Sequence, residues 1–244
     1  MPASLYDRHK ANYLSVSHAL TQIERAANDA LRRGDSPAAE AFTMTQMLLV
    51  AVKAEARLQR LIYTPDWLND RQRKYVKSAS TRFEMWQRII ETGFRQKYGK
   101  RKRTVPLEDQ LDHSAASRYK TLLEVLGQDL REMIEIRNKL AHGQWVYGLT
   151  DDGRISSELT KRLRTTNTLA LRFQDSIAGD LANAVGDLLL PGNQFDARFD
   201  EHYRKIRSSH ESLANIDFPA HVERLKGSKQ NIRVTKIPSG SSTD

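Results

Sequence analysis

The stretch Ile134 to Trp145, IEIRNKLAHGQW, sets the period from which the rest of the chain is read. Upstream of it Leu122 or Leu123, Leu126, Leu130 and Met133 recur every three or four residues, and Leu140 continues the series. That spacing is the apolar face of an amphipathic helix. The helix is predicted from Asp112 or Ser114 to His142, with Gly143 as its stop. Arg137 stands four residues beyond Met133, at the next step of the apolar stripe. A guanidinium there is costly unless it is paired or opens into a polar cleft. His142 follows five residues later, and on an ideal helix it points roughly 140° away from Arg137. The two can share a site only where the helix distorts or ends, and Gly143 supplies an end.

Helical periodicity dominates outward from this segment. Residues 3–33 read as a first helix, with Leu5, Leu14, Leu20, Ile23 and Leu31 among polar residues and Gly34 as its stop. Asp35 or Ser36 caps a second, with Pro37 at its first position, running to about Tyr63 before Thr64-Pro65. A third helical region begins at Asp66, bends near residues 78–80 and ends at Tyr98-Gly99. The basic segment 100–106, KRKRTVP, reads as a linker. Beyond the motif helix, residues 145–150 and 154–159 flank Asp151-Asp152-Gly153, the signal of a short hairpin. A fifth helix is expected over 160–190, and a sixth over 194–226 with a break at Asp217 to Pro219. The tail 227–244 is rich in Lys, Ser and Gly and is expected to be disordered. The predicted fold class is all-α, an up-and-down helical bundle with one short β-hairpin after the motif helix. Residues 1–226 are assigned to one helical domain with its core in 36–190.

Composition bounds the function. No apolar run approaches a membrane span, the longest being Met47 to Val52. The N-terminal residues lack the apolar stretch of a signal peptide, so a cytoplasmic protein without a membrane partner is expected. Cysteine is absent, which removes disulfides, thiolate metal sites and thiol nucleophiles. The remaining histidines, His9, His18, His113, His202, His210 and His221, show no ligand spacing with acidic residues, so no metal site and no cofactor are predicted. There is no Gly-rich phosphate loop, nucleophile elbow or dinucleotide fingerprint. A net charge of +9 makes nucleic acid the first candidate partner.

Two readings of Arg137 and His142 are open from the residues alone. A His before a C-terminal Gly is an ordinary helix stop, favourable to the macrodipole when charged, and Arg137 can close a buried ion pair. The alternative is a site. The string Arg137-Asn138-Lys139-Leu140-Ala141-His142 resembles the signature of HEPN domains, helical bundles whose motif is an Arg, often followed by a polar residue, then a His after four to six intervening residues near a helix end. The four-residue spacing, Asn138 as the polar residue and the following Gly143-Gln144-Trp145 are all similar to members of that group. The resemblance covers residues 36–190.

It implies metal-independent RNA cleavage, frequent among toxins and phage-defence proteins, or a non-catalytic RNA- or nucleotide-binding role. Arg137 then stabilises the phosphoryl oxygens and His142 acts as general base or acid. Both assignments suit attack by a ribose 2′-hydroxyl, which needs a proton acceptor near neutrality and a fixed cation. The family also implies a homodimer that brings two Arg-His pairs into one cleft, and an antitoxin or defence-system partner protein. The chain departs from one pattern of the family. Where some HEPN toxins carry a partner-modified Tyr two residues after the His, this sequence has Gln144, and Tyr147 lies three residues farther on.

Other residues complete the candidate site. Glu55 interrupts the stripe Met44, Leu48, Ala51, Leu58, Ile62 of the second helix, and Arg137 is a candidate partner for it. A structural pair between Glu55 and another Arg is the competing reading. Asn138 is read as a phosphate contact, the alternative being a residue that only decorates the helix surface. Lys100, Arg101, Lys102 and Arg103, with Arg95, Lys97 and Tyr98 beside them, are read as an RNA-backbone guide or as a solvated linker. Trp67, Trp86 and Trp145 are expected in the core, with Trp145 bordering a pocket near His142. A helical scaffold with a structural Arg-His pair is the reading from a different functional class.

Overall fold

In the computed structural model residues 3–100 and 102–234 are described, with side chains through Gly227. The first two helices, α1 (Leu5–Arg33) and α2 (Ser36–Tyr63), form a hairpin across a one-turn link. Gly34 closes α1 with φ 71°, a left-handed conformation that costs glycine little. The Asp35 carboxylate then accepts from the Ala38 N–H at 3.2 Å, and Pro37 occupies the first turn of α2.

The third region divides where Ser78 to Thr81 intervene, into α3 (Asp70–Lys77) and α4 (Arg82–Lys97). It begins later than expected. Asp66 takes φ 64° and starts no helix, whereas Asn69 and Gln72 form a reciprocal capping box. Residues 102–106 do not behave as a free linker. The Lys102 carbonyl accepts from buried Arg95 at 2.6 Å, and Gln110 donates to the carbonyls of Lys102 and Val105.

The motif helix is built from α5 (His113–Val125), a π-helical turn at Leu126–Leu130 and α6 (Arg131–Ala141). The π turn keeps both Leu126 and Leu130 fully buried. Further on, the expected hairpin contracts to one antiparallel bridge, Leu149 to Ile155, around the turn at Asp151–Gly153, and no strand forms among the described residues. Ser156 is the reason: its hydroxyl accepts from the Leu159 N–H and starts α7 (Ser157–Thr165), consuming the residues of a second strand. The expected fifth helix is broken again at Thr166-Asn167, where Asn167 caps α8 (Thr168–Leu189). After it come α9 (Gln194–Ala214) and α10 (Phe218–Val234), divided at the predicted break. Helix α10 runs past Gly227, where a disordered tail was expected; residues 235–244 lie outside the described residues.

The fold is all-helical. Helices α2 and α8 are apolar around much of their circumference and form its centre, packed against each other and against α4. One continuous apolar core runs from Leu20 of α1 to Ile206 of α9, with Trp86, Phe94 and Phe195 fully buried within it. Asp175 of α8 accepts from both Lys53 and Arg57 of α2 at 2.7 Å, tying the central pair together. Helix α6 lies against α2, the contact that positions the candidate site. No helix among the described residues is long and apolar enough to cross a membrane.

Candidate functional site

Helix α6 ends in a Schellman motif built wholly from main-chain bonds. The Gly143 N–H donates to Leu140 O at 3.1 Å and the Gln144 N–H to Lys139 O at 3.0 Å, with Gly143 at φ 79°. His142 is the last residue before the reversal, and its imidazole is exposed. It lines an open polar groove with Glu135, Asn138, Lys139, Gln144, Thr150 and Asp151. The far wall is held by α6 and the loop that follows it, since Lys139 Nζ donates to Leu149 O at 2.5 Å and Gln144 Oε1 accepts from the Leu149 N–H at 2.7 Å. Gln144 thus has a structural task in the loop.

Arg137 is not among the residues lining that groove. As the ideal helix predicts, it leaves α6 on another side, toward α2, where Glu55 waits. Arg137 Nε lies 3.4 Å from Glu55 Oε1, and its NH2 donates to Glu55 Oε2 at 3.5 Å. Glu55 therefore faces Arg137, one of the two partners left open for it. Its side chain is 15% exposed against 34% for Arg137, so the carboxylate is the more buried member. The alignment at Oε1 is too poor for a hydrogen bond, and this buried oxygen has no hydrogen-bond partner. Arg82, in the first turn of α4, approaches the other oxygen at 3.8 Å. Arg82 was not named from the sequence, although the competing reading of Glu55 called for another Arg, and Arg82 fits it.

Asn138 joins the two halves. It is exposed, borders the His142 groove and accepts from Arg137 NH1 at 3.0 Å. Trp145 is not in the core as expected but 40% exposed, with its Nε1 donating to Leu140 O at 3.1 Å. Trp86 is fully buried, and Trp67 packs half-buried against the Gly186 face of α8.

The basic linker residues fall elsewhere. Lys102 and Arg103 are exposed, and the Arg103 guanidinium sits 3.5 Å over the Tyr75 ring of α3. Arg101 lies outside the described residues. Neither Lys100, Lys102 nor Arg103 lines the His142 groove. Two of the scattered histidines acquire carboxylate partners through the fold. His202 Nε2 lies 2.8 Å from Asp187, with its Nδ1 buried and unpartnered, and His210 Nε2 lies 2.9 Å from Asp129 in the π turn. Burial pushes the Asp129 carboxyl above the ordinary range, an effect His210 partly offsets.

The groove wall depends on a close approach at Gly148. A Cβ built there would lie 2.5 Å from Leu159 Cβ and 3.2 Å from the Leu159 carbonyl carbon. Gly148→Ala is therefore expected to cost about 1–3 kcal/mol, read as a fall of roughly 2–10 °C in the thermal midpoint. No family model, curated protein or solved structure matches this chain.

Proposed function

We propose that this protein is a metal-independent endoribonuclease of the HEPN type, cutting single-stranded or loop RNA. The observation that carries this reading is the exposed His142 imidazole at the end of α6, in an open polar groove whose wall, Asn138, is hydrogen-bonded to Arg137. An imidazole without a hydrogen-bond partner among the described residues can take the proton from a ribose 2′-hydroxyl as O2′ attacks phosphorus. The bond from phosphorus to the 5′ oxygen then breaks, and that oxygen must receive a proton. A single His142 does not deliver both transfers at once. A second copy of the chain supplies a second His142, and also an Arg137 guanidinium for the phosphoryl oxygens. The contact with Glu55 supports the reading in another way: at 3.4–3.5 Å it orients Arg137 while leaving that side chain 34% exposed.

The setting is that of a toxin or phage-defence effector, restrained by a partner protein. Incubating the purified protein with total RNA in excess EDTA tests the activity. Fragmentation by the wild type, lost in His142→Ala, is the expected result.

One observation favours a second reading, a non-catalytic helical module. Arg137 is turned toward Glu55 and away from the His142 groove, the arrangement of a structural pair. Intact RNA after incubation with the wild type would favour that module.

A further inference from the structure

The net positive charge of the chain arises in one part of it. Residues 70–103 hold 12 Lys and Arg against three Asp and Glu, while the remainder holds 27 of each sign. The fold gathers much of this segment onto one face. Helices α3 and α4 run antiparallel, joined by Tyr75 Oη donating to Glu91 at 2.9 Å and Gln72 to Gln96 at 3.2 Å. The chain after α4 returns to the same place, laying Arg103 over Tyr75.

The three acids of the segment are already engaged: Asp70 by Arg73, Glu84 by Arg88 and Glu91 by Arg95. Arg71, Lys74, Lys77, Lys102 and Arg103 remain exposed with no carboxylate in ion-pair range among the described residues. Such a density of like charges raises the energy of the folded protein and finds its compensation in a polyanion. The His142 groove has no such surplus, since Lys139 there faces Glu135 and Asp151. Affinity for RNA must come from another surface.

We propose that the α3 face, with Lys102 and Arg103, is a docking surface for the phosphodiester backbone of a single strand, which it delivers to the Arg137 site. The choice of RNA rests on the function proposed above; the docking chemistry does not. The route is short: Arg82, the first residue after the α3–α4 break, already reaches the Glu55 carboxylate that holds Arg137. Recognition is of phosphate and not of bases, because Tyr63 and Tyr75 are covered by cations, Lys77 at 5.5 Å and Arg103 at 3.5 Å from the ring centres. A membrane surface fits less well, as the segment exposes no large apolar side chain to insert.

The test is binding of a labelled single-stranded oligoribonucleotide by anisotropy, in a His142→Ala background that cannot consume it. Combined Arg71→Glu, Lys74→Glu and Lys77→Glu is expected to weaken binding at least about tenfold at moderate salt. Replacing the same three residues by Gln should reduce the slope of log affinity against log salt by about 2, at ~0.7 per lost phosphate contact. The same charge reversal on α9, at Arg204, Lys205 and Arg207, leaves binding within about threefold if the effect is local and not one of net charge. A DNA strand of the same sequence binds similarly. Equal weakening by the α3 and α9 reversals overturns the proposal, as does a wild type that ignores RNA, or one that binds phosphatidylserine vesicles instead. A strand bound through α3 by a protein that never cuts RNA supports the docking surface and removes the nuclease reading.

Discussion

Replacement of His142 by Ala is expected to lower RNA cleavage at least about a hundredfold, the usual contribution of a positioned acid or base. The thermal midpoint should hardly move. The Schellman bonds that end α6 are all main-chain, and the imidazole is exposed, so the substitution removes no packing. The expected stability change is within about 0.5 kcal/mol, as for other exposed sites. This separation matters, because a His that served only as a helix stop would give the opposite pattern: unchanged cleavage, or none to begin with.

Arg137→Ala carries the second large effect. If its guanidinium meets the phosphoryl oxygens in the transition state, cleavage falls by about a hundred- to a thousandfold. Arg137→Lys should recover little of it, because an ammonium lacks the planar fork. The structural reading predicts a different outcome in the melting curve. Removing a cation that fully compensates a buried carboxylate costs about 3–5 kcal/mol. Here the cost should stay below about 1 kcal/mol, the value of a partly exposed pair, since Arg82 remains beside Glu55. A large loss of stability with no change in cleavage would assign Arg137 to the scaffold.

The sequence made some of this geometry legible and left the rest hidden, for physical reasons. Glu55 and Arg137 each interrupt an apolar stripe, and two buried charges of opposite sign on neighbouring helices have reason to meet. The divergence of Arg137 and His142 followed from the helical pitch alone. The break at Thr166-Asn167 could not be read, because it contains neither Pro nor Gly and rests on one Asn cap. The π turn was hidden for a related reason: its leucines fit the α-helical stripe on either side. The hairpin was over-read, since Asp151-Asp152-Gly153 does turn the chain but Ser156 claims the returning strand for α7. The basic face was visible only in part. Lys100 to Arg103 stood out as a run, whereas Arg71, Lys74 and Lys77 join it only through the antiparallel packing of α3 on α4. Trp145, expected inside, is anchored at the surface by a bond to a helix-end carbonyl that composition does not reveal.

The central claim is that His142 moves the proton in an attack by the ribose 2′-hydroxyl. It is tested most directly by identifying the ends of the RNA cut in excess EDTA. Wild-type protein should leave 2′,3′-cyclic phosphate and 5′-hydroxyl ends, His142→Ala should leave the RNA intact, and a strand with 2′-deoxy sugars throughout should resist both. Cleavage of the deoxy strand, products bearing 5′-phosphate, or undiminished cutting by His142→Ala would contradict the account.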